Sequence, residues 1–155
     1  MTQPDLIIFD CDGVLVDSDE RAADVLESTL RAEKPTIVAL GTGRAVRAAV
    51  EHVSRIDCPN HQIVSLVGNI SADGSASFFG TVGRLADRTG ARHYPMPLPF
   101  LMSSAGERAQ MLKIDPIAKV RAVAAKAHLR LVGIGQMDQR AQVHIDGHRS
   151  NSVCT

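Results

Sequence analysis

The chain has 155 residues, and 17 Lys and Arg balance 17 Asp and Glu, so the formal net charge is zero. That length suits one domain that buries roughly two thirds of its unfolded surface. Apolar residues at 45% and charged residues at 22% exclude a disordered tail and a supercharged nucleic-acid binder, and 3% aromatics argue against base-stacking or sugar-stacking platforms.

Met1 to Asp5 lacks the basic start of a signal peptide, and no apolar run approaches the roughly 20 residues of a membrane helix. A cytoplasmic protein with no membrane partner is expected. Cys11, Cys58 and Cys154 are odd in number and form no CxxC pair, which fits a reduced compartment.

The chain alternates strand and helix. Leu6-Ile7-Ile8-Phe9 is a short continuous apolar run, the pattern of a strand buried on both faces. A helix beginning near Glu20 follows and runs to Leu30. Thr36 to Leu40 is the second strand. Val46, Ala49, Val50 and Val53 then share one helix face. Ile63 to Val67 is the third strand. Leu85 and Ala86 sit in a helix that Gly90 can end as a C-terminal cap. Pro95-Met96-Pro97-Leu98-Pro99 cannot be helical and reads as a strand end or loop, with Met96, Leu98 and Phe100 as core packing. Ile117, Val120, Ala124 and Ala127 form another helical stripe, with Arg121, Lys126 and Arg130 on the solvated side and exit. Leu129 to Ile134 is the last strand. The expected fold is α/β, a mainly parallel sheet with helices on both faces, Rossmann-like and incomplete. Residues 136–155 lose periodicity and turn polar. There His144, Asp146 and His148 alternate as weak metal-ligand candidates, more simply read as a solvated tail.

Two signals carry chemistry. The first is Asp10-Cys11-Asp12-Gly13-Val14-Leu15-Val16-Asp17-Ser18, directly after the first strand. Two carboxylates at the C-terminal end of a parallel strand lie where such sheets place active sites. One can be a nucleophile and the other a general acid/base, with Mg2+ quenching the charge between them and a phosphate. Cys11 between them has a disfavoured thiolate and is a poor nucleophile. The stretch resembles the first motif of the haloacid-dehalogenase-like phosphatases, which maps the nucleophile to Asp10 and the acid/base to Asp12. The resemblance covers residues 1–18 alone. Thr42 is a candidate for that family's second motif and Lys113 or Lys119 for its third. For the fourth, Gln136 stands where a Mg2+-binding acid is required, and only Asp138 follows.

The second signal is Gly41-Thr42-Gly43-Arg44, between a strand and a helix. Glycines let a backbone approach an anion, and a helix N-terminus, the Thr42 hydroxyl and the Arg44 guanidinium all favour a phosphate. A plain strand-to-helix turn with a solvated Arg fits the same four residues.

Residues 37–44, Ile63-Val64-Ser65-Leu66-Val67-Gly68-Asn69-Ile70, His93 to Pro99 and Leu131 to Met137 together resemble, in order, the sugar-binding effector domain of SorC-family transcriptional regulators. The resemblance implies an α/β domain that senses a phosphorylated sugar. It makes Gly41, Thr42, Gly43 and Arg44 the phosphate loop, with Gly68 and Asn69 at the next strand end and Gly133, Gly135 and Gln136 at a later one. The family's helix-turn-helix region has no counterpart before residue 20, so no direct DNA binding by this chain is expected.

The resulting expectation is a composite. Residues 1–19 form a phosphatase-like strand and Asp motif, 20–148 a truncated SorC-like sugar-binding domain, and 149–155 an unstructured tail. The function expected is sugar-phosphate sensing rather than catalysis, with no cofactor and with a homo-oligomer as a possible assembly. The alternative is a Mg2+-dependent phosphoric monoester hydrolase in which Asp10 and Asp12 are catalytic and hold the metal.

Overall fold

The computed structural model describes residues 5–10, 18–70, 74 and 80–134. Its elements are β1 (Asp5–Asp10), α1 (Ser18–Leu30), β2 (Ile37–Leu40), α2 (Arg44–His52), β3 (Gln62–Ile70), α3 (Thr81–Thr89), β4 (Arg92–Pro99), α4 (Ala105–Met111), α5 (Asp115–Ala125) and β5 (Leu129–Ile134). One five-stranded sheet has the order β1-β5-β2-β3-β4, and every pairing is parallel. The α/β fold with a parallel sheet is the expected one.

The continuous apolar strands are continuous because helices cover both faces. Val38, Leu40, Ile63, Leu129 and Leu131 pack with Leu26, Val46, Val50 and Leu85 of α1, α2 and α3. The intervening Ala39 and Val64 point the other way, toward Ala127, Val120 and Val123. Successive residues of one strand thus feed two cores. The expected stripe of α2 is fully buried, as are Ile117 and Ala127 at either end of the α5 stripe. Gly90 ends α3 with φ 65°, and its N–H donates to the Ala86 carbonyl at 2.8 Å.

Of the two readings left open for Pro95 to Pro99, strand end and loop, the structure shows the strand end. Its prolines lack N–H donors, which an edge strand tolerates and a central strand does not, and β4 is an edge. Met96 and Leu98 turn inward onto Ile117, as core packing requires. Helix α4 was not anticipated. Its signal is Ser104-Ala105-Gly106-Glu107: the Ser104 hydroxyl accepts from the Glu107 N–H at 3.1 Å, and the Glu107 carboxylate accepts from the Ser103 N–H at 2.8 Å. Arg130 also does more than solvate a surface, since its guanidinium donates to the Ala124 and Ala125 carbonyls at the end of α5.

Glu27 ties α1 to the chain leaving α2. Its carboxylate accepts from the Ser54 N–H and lies 3.7 Å from Arg31. The Ser54 bonds, with Arg31 behind them, hold the Glu27 carboxyl below its ordinary value. A carboxylate depressed in the folded state stabilises it above the ordinary carboxylate range, and that stabilisation is lost as pH falls through the folded value. Thermal melts should therefore show a smaller drop between pH 7 and pH 3 in Glu27→Gln than in wild type. Equal drops in the two proteins would remove Glu27 from the acid response.

Candidate functional site

At the C-terminal ends of β2 and β3 the structure opens a cavity of about 220 Å³. Its wall brings together Gly41 and Thr42 after β2, Ser65 and Val67 to Asn69 of β3, Gly80 to Gly83 at the start of α3, and His93 and Pro95 of β4. Strand ends of parallel sheets are the usual ligand crevice, because strand-to-helix loops converge there with helix N-termini.

Each wall segment has a local cause. Gly41 continues the β2–β5 pairing, its N–H donating to the Leu131 carbonyl at 2.8 Å, and a Cβ there would sit 3.4 Å from that same oxygen. Gly43 has φ 118° and ψ 169°, a backbone region that glycine alone adopts freely. That conformation starts α2. Of the loop's two glycines, Gly43 is required by its backbone conformation, whereas a Cβ at Gly41 would meet only ordinary contacts.

Neither α2 nor α3 has a side-chain cap, and neither carries an acid in its first turn. Their first N–H groups are therefore left for another acceptor. The Thr81 hydroxyl, buried, donates to the Gly41 carbonyl at 3.4 Å and links the start of α3 to the β2 loop. In β3 the ladder to β4 shifts register between Val64 and Gly68 and again between Gly68 and Ile70. The Ser65 hydroxyl donates to the Val67 carbonyl at 2.8 Å across this irregular stretch. The Asn69 side-chain oxygen is buried without a hydrogen-bond partner among the described residues.

Of the residues singled out from sequence, Gly41, Thr42, Gly68 and Asn69 line the cavity. Gly43 and Arg44 lie beside it at the start of α2, with Arg44 exposed. Gly133 lies inside β5, opposite Phe9, and does not reach the wall. Gly135 and Gln136 fall outside the described residues, as do Asp12, Cys11, Asp138, His144, Asp146 and His148. Asp10 closes β1 at the sheet edge, with β5 between it and β2. Lys119 pairs with Asp115 at 2.6 Å on α5, which packs on β2, β3 and β4. Lys113 is exposed between α4 and α5. Among the described residues no cluster of three His, Cys, Asp or Glu could hold a metal, and no helix is long and apolar enough to cross a membrane.

Sequence reasoning missed Ser65, Gly80, Thr81, Gly83 and His93 as wall residues. Only Gly80-Thr81 at a helix start offered a local hint, of the same kind as Gly43-Arg44.

A parallel α/β sheet with a small pocket over its strand ends, walled by glycine-rich turns and hydroxyls, defines a domain that binds a small polar ligand. Residues 12–153 match the Sugar-bind family model, described as "Putative sugar-binding domain". The chain belongs to that family. It is 32% identical over 111 residues to the erythritol catabolism regulatory protein EryD of Brucella abortus (strain 2308), a match covering 72% of this chain and 35% of EryD. Its fold is similar to full-length SorC, the sorbitol operon regulator of Klebsiella pneumoniae, with TM-score 0.67 and 18% identity over 93% of this chain and 50% of that one. It is also similar to a DeoR-family transcriptional regulator from Listeria monocytogenes, with TM-score 0.67 and 13% identity over 89% of this chain and 55% of that one. The chain thus spans about a third of EryD and about half of these two structures. These relatives lend the phosphatase alternative no support.

Proposed function

We propose that the domain senses a small phosphorylated sugar or sugar alcohol in the cytoplasm, as the ligand-responsive part of a transcriptional regulator. The observation that carries this reading is the convergence of Gly41-Thr42 and the first turn of α3 on one cavity. Uncapped helix N-termini present N–H donors and the positive end of the helix dipole, which favour a phosphate. The Thr42 hydroxyl adds a donor in the wall. Arg44 is exposed and has no partner among the described residues, so its charge is available to an anion at this end of α2. The cavity, about 220 Å³, is below the range of drug-sized pockets and suits a ligand of a few carbons. Two relatives are named for polyols, erythritol and sorbitol. The reading needs no metal or cofactor. It leaves operator binding to parts of the regulator beyond these residues, and self-association of the domain is compatible with it.

Titration calorimetry with erythritol 4-phosphate and free erythritol tests the reading. The phosphate ester should bind at least tenfold more tightly than the free polyol. Arg44→Ala should lose about 1.5–3 kcal/mol of binding to the phosphate ester, the worth of a charge-assisted contact, and Thr42→Val about 1 kcal/mol. If both variants bind it as wild type does, the phosphate is not held at this loop.

A further inference from the structure

We propose that Asn69 reads a hydroxyl of the bound ligand and so sets the preference for a polyol over any other small phosphate. This rests on the cavity being the sugar site and adds to that reading which wall residue recognises the carbon chain.

Asn69 lies one residue from the end of β3, and the cavity reaches it. Its side-chain oxygen is buried, yet no donor among the described residues meets it. Buried acceptors in folded proteins are nearly always paired, and an orphan in a pocket wall points to a donor supplied by the ligand. The neighbouring wall hydroxyls differ. Ser65 donates to the Val67 carbonyl and Thr81 to the Gly41 carbonyl, so both are already engaged within the chain. Gly68, beside Asn69, is locked against β4 by the close approach of the Leu98 and Pro99 carbonyls. The backbone carrying Asn69 is therefore held in place.

The chemistry of the acceptor narrows the ligand group. A phosphate oxygen without a proton cannot donate to an amide oxygen. A hydroxyl can, and it can also accept from the helix N–H groups across the cavity. The α3 start offers donors and Asn69 offers an acceptor, so the two walls suit the two ends of a polyol phosphate.

The test is calorimetry on the full 155-residue chain with butyl phosphate, erythritol 4-phosphate, sorbitol 6-phosphate and free erythritol. Butyl phosphate matches erythritol 4-phosphate in carbon count and carries no hydroxyls. Wild type should prefer one of the polyol phosphates to butyl phosphate by about tenfold or more. Asn69→Ala should bring that ratio close to one while butyl phosphate binds as before. Asn69→Asp, which keeps the acceptor and adds charge, should weaken all the phosphates and keep the ratio. A ratio unchanged in Asn69→Ala, or an equal loss for both esters, overturns the proposal. Free erythritol binding as tightly as its phosphate would overturn the phosphate reading alone, and the Asn69→Ala loss would then be read on free erythritol. If wild type binds none of the polyols, both readings fall.

Discussion

Gly68→Ala should destabilise the domain by about 3 kcal/mol or more, a cost at the upper end for forcing atoms into a packed interior. A Cβ at Gly68 would lie 2.4 Å from the Pro99 carbonyl oxygen, 2.5 Å from that of Leu98 and 2.7 Å from the Pro99 carbonyl carbon. All three are backbone atoms, so no side chain can rotate away. Relief requires β4 to move off β3, at the place where the ladder already shifts register. Urea unfolding would measure the cost. Gly106→Ala in α4 is the control, because its Cβ would meet nothing closer than the Ser104 hydroxyl at 3.8 Å and alanine favours a helix. If Gly68→Ala unfolds at the same urea concentration as Gly106→Ala, the close approach of the two strands is wrong. The same substitution shifts the strand that bears Asn69, so ligand affinity should fall with stability.

Leu85→Ala should cost about 3 kcal/mol, within the range for truncating a fully buried leucine, and lower Tm by about 10 °C. Leu85 is 0% exposed and packs in the cluster shared by α1, α2 and α3. It is the central anchor of α3, whose outer face carries Arg84 and Asp87 and whose start forms one wall of the cavity. Loss of that anchor loosens Gly80 to Gly83 relative to Gly41-Thr42, so ligand affinity should drop in a variant that still folds at low temperature. Thermal melts with and without ligand would check both effects. A Leu85→Ala protein melting within about 2 °C of wild type would show that α3 is held some other way.

The site was only half legible before the structure. Gly41-Thr42 could be singled out because it follows an apolar run, and a turn after a buried strand is where ligands meet parallel sheets, whereas Gly68-Asn69 was implied only by the resemblance to the SorC-family effector domain. The roles assigned to the glycines needed revision. Gly68 is glycine because β4 crowds it and Gly43 because of its φ of 118°, while a Cβ at Gly41 would make only ordinary contacts. Sequence spacing does not separate these causes, since both place glycine at a strand end. His93 carried no signal of its own beyond belonging to a stretch that resembles the SorC-family domain. It sits in an exposed stretch of an edge strand, and nothing local distinguishes it from a solvated histidine.

What the sequence by itself determined is most of the elements, α4 excepted, and the buried stripe of the helices it marked. The alternation of apolar runs and 3.6-period stripes specifies β2, α2, β3 and α5 locally, and Gly90 specifies the end of α3. These are short-range properties, governed by which φ/ψ and which burial each residue tolerates. What only the tertiary structure decided is who neighbours whom. Strand β5 inserts between β1 and β2, pairing Asp5 with Leu129 and Val38 with that same Leu129. Hydrophobic periodicity is blind to that choice, because every strand buried on both faces looks alike to it. The cavity follows from the choice: Thr81 reaches Gly41 across forty residues of chain, and Gly68 meets Pro99, only once the sheet has closed in this order. The unpaired oxygen of Asn69 belongs to the same level, since a buried acceptor becomes an orphan only when all its neighbours are in place.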